Sequence, residues 1–169
     1  IPLDRLVANR AGDAVAMDPP TLLDLGIELA ETLQHIHGKG GVHGHLSSHT
    51  VTLASDGRVW LWGVGPGPMC APPAAWTAPE RANGRPATEA TDQWSLGMLL
   101  AGLVTGAEPF PGGLAEARGG DTGPVVQAVE TQWPALGRVL RRMTAIEPGD
   151  RFGGMGAVRK ELLALSRKA

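Results

Sequence analysis

All five histidines fall within fifteen residues, at His35, His37, His43, His45 and His49. Imidazole binds Zn, Cu or Ni and exchanges protons near neutral pH, so this stretch invites both metal and acid–base chemistry. A metal site built on His45 and His49, or on His43 and His45, would still need further ligands. No Cys is near, and between Glu31 and Glu89 the only acidic residues are Asp56 and Glu80. That shortage argues against a metal centre. Cys70, the single cysteine, lies in a Pro-rich loop with no neighbouring base, which makes it structural or incidental rather than a nucleophile. Trp60 and Trp62 alternate with Val59 and Leu61, so both rings point to the same side of a strand.

The elements that must position these groups read as mostly helical. Residues 1–19 form a short amphipathic start (Leu3, Leu6, Val7) and a loop ending in Pro19-Pro20. From Thr21, apolar residues at Leu22, Leu25, Leu29, Leu33 and Ile36 keep the spacing of one buried helix face, closed by glycines from Gly38 to Gly41. Val51 to Leu53 and Val59 to Trp62 read as strands joined by the turn Ser55-Asp56-Gly57. Residues 63–73 read as a Gly/Pro-rich loop. Helices are expected at Thr91 to Val104, Ala135 to Ala145 and Met155 to Leu165, with a weakly patterned region over 112–131.

The 169 residues suit one domain, and 43% hydrophobic content is enough for a real core. A net charge of −2 gives no electrostatic reason for a nucleic-acid partner. The excess of Arg over Lys and the absence of Tyr read as genome bias. One cysteine excludes an intramolecular disulfide framework and favours a reducing, cytoplasmic setting. The longest apolar stretch, Leu96 to Val104, is about half a membrane span, so no membrane segment is expected. The start at Ile1 reads as the middle of a longer protein.

From Leu33 onward the order of landmarks resembles the C-terminal lobe of eukaryotic-type protein kinases, bacterial Ser/Thr kinases included. LQHIHGKGGVHGHLSSHTVTL resembles the end of the central helix plus the catalytic loop, and DGRVWLWGVG the hairpin leading to Asp-Phe-Gly. Ala78-Pro79-Glu80, then Asp92-Gln93-Trp94-Ser95-Leu96-Gly97, Gly106 and Pro109-Phe110, is the most specific segment. RRMTAIEPGDRF places Arg151 where the family keeps the partner of that Glu. The implied fold is mainly α, a kinase-like large lobe with one small β-hairpin and with the small lobe absent from this chain. Its parts are 1–19 (leading helix and loop), 20–65 (central helix, catalytic loop, hairpin), 66–80 (a short activation-like segment) and 81–169 (helical subdomain). The resemblance implies a buried Glu80–Arg151 salt bridge, an Asp92 that accepts from catalytic-loop amides, and structural places for His43 and Trp94.

At the family's catalytic positions this sequence departs. His-Arg-Asp reads His43-Gly44-His45, the metal-binding Asn position is Thr50, and Asp-Phe-Gly reads Gly63-Val64-Gly65. Mg²⁺ is normally held by at least one carboxylate beside the phosphates, and a general base contributes about 10²–10⁴ in rate. With Gly44 in place of the Arg, and Thr77 the only hydroxyl between Pro66 and Ala78, a phosphorylation switch of the usual type lacks both site and receptor. The sequence therefore predicts a lobe that is not an enzyme, with degenerate positions His45, Thr50 and Gly63, no cofactor and no metal. Its role would be protein binding, scaffolding or regulation, through a face formed by Trp60, Trp62 and Val64. The partner would be another protein, another copy of the chain or another segment of a longer parent chain. Two other readings stand beside it: phosphotransfer or nucleotidyl transfer completed by segments outside this chain, and a His-cluster metal or ligand sensor.

Overall fold

A computed structural model describes residues 3–4, 17–64 and 74–168. Leu6, Val7 and Cys70, and most of the leading and activation-like segments, lie outside the described residues. The element order is α1 (Pro19–Gly38), β1 (Val51–Leu53), β2 (Val59–Leu61), α2 (Pro79–Ala82), α3 (Glu89–Thr105), α4 (Leu114–Gly119), α5 (Gly123–Gln132), α6 (Pro134–Met143) and α7 (Met155–Ser166). Short 3-10 turns lie at Ala74–Trp76 and Pro148–Asp150. Among the described residues no helix is long and apolar enough to cross a membrane.

Helix α1 starts earlier than its apolar pattern because Asp18 caps it, accepting from the Thr21 amide at 3.1 Å, while Pro19 and Pro20 occupy the first helical positions. Prolines are tolerated there because those N–H groups have no partner within the helix. Its apolar face (Leu22, Leu25, Leu29, Leu33) packs against α7 and α3. The region 112–131, weakly patterned in sequence, contains two helices. Neither announces itself by a long apolar stripe: α4 spans six residues between glycines, and α5 buries only Val126 and Val129.

Helix α3 is the centre. From Thr91 to Leu103 every residue is buried, so its sequence is apolar nearly all round rather than amphipathic. It begins with Thr91 Oγ1 accepting from the Thr88 amide at 3.0 Å and ends at Gly106, whose φ of +66° suits a residue without Cβ. Trp94 is fully buried and stacks on Phe110, ring centroids 5.8 Å apart, in a small cluster with Ala78, Met98 and Ala117. The hairpin pairs Val51 with Leu61 and Thr52 with Trp60. Its second strand ends at Leu61, yet the Trp62 amide still donates to the Thr50 carbonyl at 2.9 Å, which carries the ladder one residue further.

Glu80, on α2, meets Arg151, just after the last 3-10 turn. The two form a fork, Nη1 to Oε1 at 2.8 Å and Nη2 to Oε2 at 3.0 Å. The other donors of Arg151 reach the carbonyls of Ala90 (2.7 Å), Ala145 (2.9 Å) and Ile146 (3.2 Å), so all five of its N–H groups are used. Thr91 Oγ1 also donates to Glu80 Oε1 at 3.0 Å. Burial alone would raise the Glu80 pKa; the Arg151 hydrogen bond and charge, a backbone N–H and the Thr91 hydroxyl outweigh it and leave it lowered.

Removing either partner strands a buried charge, so Glu80→Ala and Arg151→Ala should each cost about 3–5 kcal/mol in denaturant unfolding at neutral pH. A loss below about 0.5 kcal/mol would mean that the pair behaves as an exposed one. Because the folded pKa of Glu80 lies below its unfolded value, its contribution is full above the unfolded pKa and is lost as pH falls through the folded one. Stability measured against pH should therefore drop on the acid side of 4.5, and Glu80→Gln should flatten that drop. Close packing gives a second expectation. A Cβ on Gly97 would sit 2.8 Å from Thr144 Cγ2 and 3.0 Å from Met143 Cβ, so Gly97→Ala should destabilise by about 1–3 kcal/mol.

Candidate functional site

The catalytic-loop segment, residues 40–50, runs from the end of α1 to β1 with no regular structure of its own, so its shape comes from outside it. Asp92, one turn into α3 and fully buried, supplies the anchor. Its Oδ2 accepts from the His43 amide at 2.8 Å and its Oδ1 from the Gly44 amide at 2.6 Å. His37 Nε2, at the last turn of α1, lies 2.8 Å from the same Oδ2 and donates to it. Gly44 takes φ +76°, a conformation that disfavours side chains, and a Cβ there would stand 3.1 Å from Ala87 Cβ.

His43 is buried and ties the loop to the hairpin. Its Nδ1 accepts from the His45 amide at 3.2 Å, so the proton sits on Nε2, which donates to the Trp62 carbonyl at 2.8 Å. Burial lowers its pKa, opposed by the Trp62 carbonyl and Asp92, with His45 adding to the lowering. The neutral ring is thus fixed in one tautomer by two backbone partners.

Thr50 closes the loop on itself. Its Oγ1 accepts from the Ser47 amide at 2.9 Å and donates back to the Ser47 carbonyl at 3.1 Å. Gly63 is exposed with φ +78°. His45 is half-buried; burial and then the charge of Arg81 lower its pKa, against the opposite pull of Asp92. Positions 45, 50 and 63 therefore bring an imidazole, a loop-bound hydroxyl and a glycine to the place where the family resemblance implies carboxylates and an amide. Among the described residues no group of three or more His, Cys, Asp or Glu stands close enough to hold a metal ion.

Beyond the loop, Trp60 and Trp62 project from the hairpin with 51% and 56% of their surface exposed, and Val64 with 52%. The two rings stack at 6.2 Å between centroids, 20° apart in plane. Two contributors escaped the sequence reading. Gln93 clamps the backbone of Phe152, its Nε2 donating to the carbonyl at 3.1 Å and its Oε1 accepting from the amide at 2.7 Å. Arg81 lines the cleft beside His45. Their positions, next to Asp92 and Glu80, were the available signal.

No family model matches the chain. Among curated proteins it is 30% identical over 115 residues to a probable inactive serine/threonine-protein kinase of Dictyostelium discoideum, covering 62% of this chain and 9% of that one. It is 35% identical over 105 residues to the serine/threonine-protein kinase PkaA of Streptomyces coelicolor (54% and 19%). It is 32% identical over 95 residues to AtPK1/AtPK6 of Arabidopsis thaliana, also named a serine/threonine-protein kinase (50% and 20%). The solved kinase domain of Mycobacterium tuberculosis PknI superposes with a TM-score of 0.69 at 23% identity, covering 97% of this chain and 61% of that one.

These relatives correct one expectation. The sequence reading held that the chain is not an enzyme, on the grounds that positions 45, 50 and 63 lack the catalytic groups. The Streptomyces and Arabidopsis relatives are named as kinases without qualification, so the groups missing at these positions do not show that the chain is not an enzyme. The chain spans no more than a fifth of the length of these curated relatives. It is a homologue of Ser/Thr protein kinases over about half to three-fifths of its length, and it has the fold of the kinase large lobe.

Proposed function

We propose that the chain works as a protein-binding large lobe of a kinase-like protein, and that its hairpin face is where the partner docks. The stacked, half-exposed pair Trp60 and Trp62, continued by Val64, carries this reading. Tryptophan is over-represented among the few residues that dominate binding energy, and exposed apolar patches of this kind mark interaction sites. The rings are also held before any partner arrives: Trp62 is pinned through its carbonyl by His43 and through its amide by Thr50. An anchor already ordered loses less entropy on binding. The single cysteine supports a cytoplasmic setting.

A second reading follows from the names of the relatives. Phosphotransfer on this lobe would draw its metal-holding carboxylates from the docked partner or from another segment of a longer parent chain, since His45, Thr50 and Gly63 supply none. Docking and chemistry then share one face.

One experiment addresses both readings. Trp60→Ala combined with Trp62→Ala should leave the melting temperature within a few degrees, because both rings are half exposed. It should weaken association with the native partner by about tenfold or more. Unchanged association would refute the docking face. Phosphate transfer by the intact assembly with Mg²⁺ and ATP, lost in the double variant, would favour the second reading.

A further inference from the structure

A cleft of about 430 Å³ opens between the catalytic loop and the segment that follows α2, lined by Gly41, His43, Gly44, His45, Arg81 and Ala87 among others. No described residue of its lining is a carboxylate. Two of its side chains have nitrogens left over. His45 Nδ1 and Arg81 Nε are both buried with no hydrogen-bond partner. Arg81 has no ion pair among the described residues, and its Nη1 donates to the Arg85 carbonyl at 3.1 Å. These two nitrogens are closed off from solvent, so a ligand in the cleft would meet the other nitrogens of the two side chains first.

The nearby acid does not supply a partner. Asp92 acts on His45 through its charge, but its two oxygens are occupied by the His43 and Gly44 amides and by His37. The groups acting electrostatically on His45 are Arg81 from α2, Asp92 from α3 and the neutral His43 of the loop. With Asp92 consumed, the cleft presents one unneutralised guanidinium and one imidazole. Where the kinase resemblance implies a carboxylate stands His45, and the cleft suits an anion rather than a cation.

We infer that this cleft is an oxyanion site that takes a phosphate group, with the Arg81 guanidinium as its charged fork and His45 as its second donor. Guanidinium forks match phosphate oxygens in geometry as well as charge. The cavity is large enough for a phosphate carried on a side chain as well as for the free ion. A bound anion would also offset the Arg81 charge, which together with burial holds the His45 pKa down, so binding should draw a proton onto the ring. The inference is separate from the tryptophan face and survives its failure.

The test is an NMR titration of the full chain, following the His45 ring, with three probes: inorganic phosphate, a phosphoserine peptide and the same peptide unphosphorylated. Both phosphorylated probes should shift the His45 resonances and raise its pKa, and the third should do neither. Arg81→Gln should weaken binding by about tenfold or more, and His45→Gln by several-fold. If Arg81→Gln lowers the melting temperature too far to titrate, Arg81→Lys keeps the charge without the fork and should still bind more weakly than the native chain. A phosphopeptide that binds much tighter than inorganic phosphate identifies a modified protein as the source, whereas equal affinities identify the free ion. No response of His45 to millimolar phosphate, or undiminished affinity in the Arg81 variants, would overturn the inference.

Discussion

Three consecutive residues at the start of α3 hold three otherwise separate parts of the lobe. Successive residues on an α-helix point about 100° apart, so Thr91, Asp92 and Gln93 face three directions. Thr91 reaches Glu80 and through it Arg151; Asp92 reaches the catalytic loop; Gln93 reaches the Phe152 backbone. Glu80 sits on the single-turn helix α2, and the catalytic loop, Arg151 and Phe152 lie outside helix and strand, so none of these segments can fix itself. The helix beneath is buried from Thr91 to Leu103, which makes it a rigid mount. Of the three ties, the Asp92 one joins the catalytic loop and the end of α1 at once. A fully buried carboxylate accepting two amide N–H groups and an imidazole N–H is charge-assisted at every contact, and such hydrogen bonds are about twice as strong as neutral ones.

The same constraint shapes the cleft's chemistry. Asp92 is bonded directly to the loop, and its carboxylate is spent on the loop's shape. The scaffold stands complete while the cleft beside it carries Arg81 and, where the kinase resemblance implies the carboxylate of the catalytic loop, His45. His43 passes the order outward. Its two backbone bonds connect the Asp92-held loop to Trp62, so the exposed tryptophan face is rigid for the same reason that the loop is.

Much of this was readable in the sequence, for identifiable reasons. Helix α1 showed itself through leucines at three- and four-residue spacing, and the hairpin through Ser55-Asp56-Gly57 between two β-branched and aromatic runs. Glu80, Asp92 and Arg151 were legible only through the order of landmarks shared with kinases, because a lone charge in a sequence does not announce its burial. What escaped was of two kinds. Helices α4 and α5 are short, Gly- or Pro-bounded and only lightly buried, so periodicity had little to register. Gln93 and Arg81 act through contacts with residues distant in sequence or through a cavity, neither of which leaves a local pattern. The inference from missing catalytic groups to a lobe without enzymatic function also went too far, since motif positions describe one loop and the kinase-named relatives concern the wider chain.

The dependence of loop and hairpin on one carboxylate is tested most directly by amide hydrogen exchange in Asp92→Asn. An asparagine offers a single acceptor oxygen and places an NH₂ against N–H donors, so it cannot hold both amides and His37 together. The His43 and Gly44 amides should lose protection by about tenfold or more, and the Trp62 amide should follow, while α6 and α7 change little. Protection at His43 and Gly44 equal to that of the unaltered chain would contradict the account, because the loop would then be held by something other than Asp92.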